Sequence, residues 1–365
     1  MYAPVQKIIN FIKKQPPVWR IVSLFLILIC LLLAGSYFLL TRTSFLDFFS
    51  REEFKAEEPK EIEEPAPIFN LFRLLDGMGV DDEREINPPV FAVQVENMVD
   101  ARPLSGISKA NLVYEAISEA GITRLLAIYT SDNLVPEIGP ARSARPYYMD
   151  WASEYGALYA HSGGSPEALR AVSDYDILDL NEFANGRFFW RSKSRYMPHN
   201  LYTSVELLNE AFAAKDGEVK SFEPWQFKDE VELDGRPSEE RRAKIYFSTG
   251  SYEVGWQYSR ETNDYLRYQA DIIQQDKDGS EVRAKNVAVQ FVRMITLDSE
   301  GRKKVETIGS GEAIVFRDGV KIEGEWSKEK KGERTKFYDS VGQEIKFNPG
   351  VTWVEVVPNG TEVEF

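Results

Sequence analysis

The chain has 365 residues, with 58 Asp or Glu against 44 Lys or Arg, for a formal charge of −14 at pH 7. Such an acidic balance argues against nucleic acid as a partner, since a phosphate backbone is met by clustered lysine and arginine. A single cysteine, Cys30, rules out an internal disulfide framework, so the fold must rest on ordinary cores.

Residues 1–20 carry Lys7, Lys13, Lys14 and Arg20 and no acid, and residues 21–40 are apolar apart from Ser23 and Ser36. A helix rises about 1.5 Å per residue, so roughly 20 residues cross a bilayer core of about 30 Å. The segment reads as a transmembrane anchor whose basic flank stays cytoplasmic, leaving the remainder extracytoplasmic. A cleaved signal peptide is the alternative, with Ala34-Gly35-Ser36 resembling a cleavage site, but the apolar run continues past it to Leu40. Ile27-Leu28-Ile29 lack the small residues expected before a lipid-bearing cysteine.

Residues 41–88 mix glutamate, lysine and proline in the manner of a solvated tether, with a short helix expected around Phe69 to Leu75. From residue 89 the patterning changes. A strand is expected at 90–95, then strands at 111–119 and 122–129 turning at Ala120-Gly121, with a helix over 109–119 as the alternative. A helix follows over 143–155, placing Tyr147, Trp151 and Tyr155 on one face. A short strand at 157–160 delivers His161 to its end. Ser165-Pro166 then opens a helix to about residue 173, and another runs over 204–214. Alternating strands and helices imply a mixed α/β domain over 89–228. After a polar joint at 229–243, residues 244–365 read as mostly β, with strands at 244–248, 286–292, 312–316 and 352–357 and turns at Asp278-Gly279, Asp318-Gly319 and Asn359-Gly360.

Both histidines of the chain, His161 and His199, fall between residues 138 and 204, where seven basic and seven acidic residues balance against an acidic background. Arg142 and Arg145 stand three apart at the start of the predicted helix, where a negative ligand would offset their conflict with the helix dipole. Gly163, Gly164 and Ser165 form a strand-to-helix turn suited to donating N–H groups to an anion. Arg191 and Arg195, with His199 and Asn200 following and Arg124 on the preceding hairpin, complete a set fitted to an oxyanion. His161 and His199 supply the imidazoles for acid–base work. Each feature also has a plain structural reading: a glycine turn, internally paired arginines, a solvated basic loop. Glu115 and Glu119, two alternations apart, would share a strand face, where paired carboxylates can hold Mg²⁺ or simply face solvent. Two distant histidines and a lone cysteine supply no zinc set.

The segments 89–97, 101–106, 112–115, 121–124, 138–146, 161–167 and 198–204 resemble the YerB-like family of bacterial envelope proteins, and 316–319 with Pro349-Gly350 and Trp353 resemble its C-terminal domain. The resemblance implies two domains outside the membrane and carries no activity with it. A more distant similarity, to the LytR–CpsA–Psr envelope transferases, lies in the order hairpin, Arg142/Arg145 loop, then the strand ending in His161–Glu167. It implies arginines on a pyrophosphate and acids on a metal, although Asn111 stands where an early acidic ligand would be. The joint expectation is a membrane-anchored protein binding a phosphate- or pyrophosphate-linked glycan or lipid carrier, with transfer chemistry as an extension. The alternative is a non-catalytic scaffold binding wall proteins through exposed aromatics such as Trp256, Tyr258 and Trp326.

Overall fold

The computed structural model describes residues 16–49 and 70–365, in two compact units, Met1–Pro67 and Ile68–Phe365. Lys7, Lys13 and Lys14 of the basic flank and the 50–69 part of the tether lie outside the described residues. In the first unit one helix, Pro17–Phe49, contains the whole predicted 21–40 segment. Ser36 Oγ donates to the Leu32 carbonyl at 2.8 Å, which satisfies the hydroxyl within the helix. Counted over the described residues, no helix is long and apolar enough to cross a membrane.

The second unit begins earlier than its sequence suggests. Instead of a helix at residues 69–75, Leu71–Phe72 pairs with Gly79–Val80, Gly77 adopts φ 68°, and Asp76 Oδ1 accepts from the Met78 N–H at 3.1 Å. An Asp-Gly pair closing a hairpin outcompetes a single helical turn, which has too few bonds to nucleate. Phe69 itself lies outside the described residues.

The unit is built on a sheet of 10 strands. Across it the order is Lys336–Asp339, Val320–Lys328, Gly309–Arg317, Asn286–Val292, Thr352–Pro358, Leu112–Glu119, Ile122–Thr130, Val90–Glu96, Leu158–His161 and Leu178–Asn181. The first five come from the β-rich half and the last five from the α/β half, so the halves share one continuous sheet. The seam is Thr352–Pro358, parallel to Asn286–Val292 on one side and to Leu112–Glu119 on the other. Ala120 and Gly121, at φ 46° and 84°, make the left-handed turn that joins Leu112–Glu119 to Ile122–Thr130.

Two apolar clusters cover opposite faces of the sheet, and each draws on both halves. One joins Val113, Val287 and Trp353 to a 6-stranded second sheet that contributes Ile245, Val254 and Trp256. The other joins Tyr114, Ala288 and Val354 to the helix Pro146–Ser153 through Tyr148 and Trp151. That helix starts at Pro146 rather than at the expected residue 143, because the residue before a proline is held extended, as Arg145 is, and its exposed face is small because seven of its residues are buried.

The helix is tied to the β-rich half by charge as well as packing. Lys328 Nζ reaches Asp150 Oδ2 at 2.9 Å and Glu154 Oε1 at 2.8 Å, with all three side chains essentially inaccessible. Burial opposes the ammonium, but the two carboxylates outweigh it and hold Lys328 above its ordinary value. Removing one member of such a cluster strands the others. Lys328→Met is expected to lower unfolding stability by about 3–5 kcal/mol in urea titration. The exposed neighbour Lys330→Met should change it by less than about 0.5 kcal/mol.

Candidate functional site

The loop that enters the Pro146 helix runs beside the glycine turn. The Ala144 N–H donates to the Gly163 carbonyl at 3.0 Å, and the Ser165 N–H donates to the Ala144 carbonyl at 3.1 Å. The Gly163 N–H donates to Asn181 Oδ1 at 3.0 Å, and Ser165 Oγ caps its own helix at the Ala168 N–H. Gly163 and Ser165 thus spend their N–H groups on the protein's own backbone and Asn181. The helix they introduce, Pro166–Ala171, is 6 residues long.

Each of the candidate arginines meets an internal acceptor. Arg142 Nε lies 3.1 Å from Glu96 Oε1, and His199 Nδ1 lies 2.7 Å from Glu96 Oε2, so one buried carboxylate bridges both. Arg145 and Arg124 likewise share Glu119: Arg145 contacts Oε1, and Arg124 Nη2 approaches Oε2 at 2.8 Å. Arg191 bridges Glu182 at 3.1 Å and Asn200 Oδ1 at 3.1 Å. Arg195 donates to the Ala101 carbonyl at 2.5 Å and the Pro103 carbonyl at 2.6 Å, pinning the loop at residues 99–104. Asn200 also donates to the Ser192 carbonyl at 3.2 Å.

His161 is buried, stacked on Tyr159 with ring centroids 5.0 Å apart. Its Nδ1 faces the Gly163 carbonyl at 2.6 Å and its Nε2 faces Asp179 Oδ1 at 2.7 Å. Both ring nitrogens are thus engaged by groups of the protein itself, which leaves neither open to a substrate. His161 and His199 sit on different carboxylates, Asp179 and Glu96, and do not meet as an acid–base pair.

Glu115 and Glu119 do not act together. A β-bulge between Ile117 and Glu119 breaks the alternation, so the expected shared face is lost. Glu115 instead contacts Arg267 of the second sheet, while Glu119 serves Arg124 and Arg145. Among the described residues no group of three or more His, Cys, Asp and Glu side chains is arranged to hold a metal. The expected aromatic contact surface is also overturned: Trp256, Tyr258 and Trp326 are all buried, because their strands' inward faces supply the two cores.

Two of the expected residues, Arg145 and Ser165, line a cleft of about 530 Å³ whose other walls sequence reasoning missed: the start of the Pro146 helix, Glu167, Tyr175, Lys331 and the hairpin Met294–Thr296/Lys303–Val305. Arg145 lines it but is matched by Glu119, Asp150 by Lys328, and Arg302 by Asp298 at 2.6 Å. Lys303 donates to Thr296 Oγ1, Lys331 lies 4.4 Å from the Tyr175 ring centre, and Lys304 meets no carboxylate among the described residues. Burial pushes the Tyr175 hydroxyl up to about 12, keeping it a proton donor. After internal pairing, the cleft retains three lysines against Glu167. The adjacent Arg302-Lys303-Lys304 was the sequence signal, outshone by the richer stretch at 138–204.

Because Glu119 is the one carboxylate that Arg124 and Arg145 share, Glu119→Ala should lower stability by about 3 kcal/mol. Added phosphate should then restore part of that loss in the variant alone. Equal stabilisation of both proteins by phosphate in thermal melts would mean that the arginines already accept anions beside Glu119.

The α/β half matches the family model described as Protein of unknown function (DUF3048) N-terminal domain over residues 75–219, and the β-rich half matches its C-terminal domain over 243–354. A Bacillus subtilis protein named "Putative lipoprotein YerB" is 31% identical over 293 residues, covering 78% of this chain and 86% of its own length. The crystal structure of YerB protein from Bacillus subtilis superposes with a TM-score of 0.71 at 27% identity, covering 81% of this chain and 100% of that one. With both halves matched in order on one shared sheet, the chain belongs to the DUF3048 family, together with YerB.

Proposed function

We propose that this is a membrane-anchored extracytoplasmic protein that binds an anionic envelope ligand, a phosphate- or pyrophosphate-linked glycan or lipid carrier, in the cleft beside the 294–305 hairpin. The observation that carries the reading is the charge left in that cleft after internal pairing: Lys303, Lys304 and Lys331 in a chain of net charge −14. Ammonium groups beside the apolar walls of Leu297 and Val305 suit a phosphate that carries a less polar body. Anchoring is supported by the uncharged run at residues 21–40 within the helix Pro17–Phe49 and by the lipoprotein name of the relative. Transfer chemistry of the LytR–CpsA–Psr kind is not part of this reading. It needs arginines open to a pyrophosphate, and Arg142 and Arg145 each face a glutamate. A scaffold role is favoured by one other feature, the edge strand Ile272–Ile273 of the second sheet, which leaves Ile272 largely exposed beside Val99.

Isothermal titration with inorganic pyrophosphate tests the cleft. Removing one charge-assisted hydrogen bond to the ligand should weaken binding about tenfold. Lys304→Ala and Lys331→Ala should therefore show the effect singly and more strongly together, while Arg142→Ala binds as the parent does. Loss of binding in Arg142→Ala with the lysine variants intact would move the ligand to the Glu96 face and end this reading. Separately, deleting residues 21–40 should shift the chain from the membrane pellet to the supernatant. A chain that stays in the pellet would argue against the anchor.

A further inference from the structure

The central and second sheets meet over a buried ionic cluster that the ligand reading does not use. Glu115 and Glu355 are directly paired positions on adjacent parallel strands, and both side chains are fully buried. One buried cation serves them, Arg267 of the second-sheet strand Asp264–Gln269. Its guanidinium contacts Glu115 Oε2 through Nη2 and donates from Nη1 to Gln269 Oε1 at 3.0 Å. Its Nε stands 4.0 Å from Glu355 Oε1. The guanidinium also lies against the indoles of Trp353 and Trp256, at 4.6 and 5.6 Å.

The two carboxyl groups are served unequally. Glu115 takes the guanidinium on one oxygen and, on the other, Thr123 Oγ1 at 2.6 Å and Asn97 Nδ2 at 3.1 Å. Glu355 Oε1 accepts from the neutral Trp256 Nε1 at 2.8 Å, the only other donor beside the carboxyl is the neutral Trp353 indole, and no cationic group hydrogen-bonds to it. A second cation of this region, Arg102, is spent on Asn97 and the Ser251 carbonyl and packs on Tyr252. A carboxylate with three donors, one of them cationic, can stay ionised in the interior. One served by neutral indoles alone relieves the cost of burial by keeping its proton.

We propose that Glu355 is held as the neutral carboxylic acid, so that a single buried proton completes the joint between the two sheets and alkaline conditions loosen it. Burial, reinforced by the charge of Glu115, drives the Glu355 carboxyl well above the ordinary carboxylate range. The sign follows from linkage. Unfolded glutamate loses its proton above about pH 4.3 while folded Glu355 keeps it. This group's contribution to stability is therefore full below that value and declines as pH rises towards the folded value. Within that window the unfolded-to-folded ratio grows about tenfold per pH unit from this group alone.

The test compares the full chain with Glu355→Gln, which keeps the shape and cannot ionise. Urea unfolding in detergent between about pH 5 and pH 8 should show the parent's unfolding constant rising relative to the variant's, by about tenfold per unit while Glu355 stays protonated. Infrared difference spectra near neutral pH should show the C=O stretch of an undissociated carboxylic acid in the parent and not in Glu355→Gln. A constant ratio across the range, or a parent without that band, would show Glu355 ionised and overturn the proposal. A band that survives in Glu355→Gln and disappears in Glu115→Gln would place the proton on the other carboxyl and overturn it equally. The parent's band is informative even where a variant does not fold.

Discussion

The Thr352–Pro358 strand has no free edge: it is hydrogen-bonded in parallel to Asn286–Val292 on one side and to Leu112–Glu119 on the other. That double pairing makes one sheet of two halves, and most of the molecule's organisation follows from it. A strand enclosed on both edges and both faces must be apolar nearly throughout, and Trp353, Val354, Val356 and Val357 are buried accordingly. The exception, Glu355, can exist there only because the second sheet brings Trp256 and Arg267 to it. Packing on one face and hydrogen bonding in the plane are therefore joined at a single side chain.

Elsewhere the interior follows a rule of local neutralisation. Glu96 serves Arg142 and His199, Glu119 serves Arg124 and Arg145, Asp150 and Glu154 serve Lys328, and Asp179 faces His161. These pairs cross between elements, some of them far apart in sequence, and fix their relative placement more by the cost of separation than by net attraction. The consequence for function is one of subtraction. A residue type suited to binding anions, once matched by a buried carboxylate, becomes part of the frame. The unmatched lysines of the 294–305 hairpin then weigh more than the better-endowed stretch at 138–204.

Local chemistry was readable from the chain. Ala120-Gly121 and Asp318-Gly319 turn hairpins, Ser165 and Ser204 cap helices, and the strands at 286–292 and 352–357 lie where their apolar runs place them, all because these features depend on neighbours within a few residues. Partnership was not readable. Nothing near residue 115 announces that its neighbours are residues 355 and 267, and nothing at Arg142 points to Glu96. The bulge before Glu119 inverts the face of a carboxylate by one inserted residue, which no alternation count detects. Aromatic residues on mostly polar strands, such as Trp256 and Trp326, look exposed until the second layer that covers them is known.

The seam also sets an order of events. A chain emerging amino end first presents Leu112–Glu119 more than 200 residues before its partner Thr352–Pro358 arrives. During that interval one edge of the growing sheet is an unpaired template, with Val113, Tyr114 and Ala116 uncovered, which is the state most open to pairing with another chain. Completion of the sheet waits for the late strand, so the α/β half cannot reach its final form until Thr352–Pro358 has emerged. A chain interrupted anywhere before residue 352 keeps that edge open permanently, and the cell meets it as a candidate for aggregation or degradation rather than as a smaller working protein.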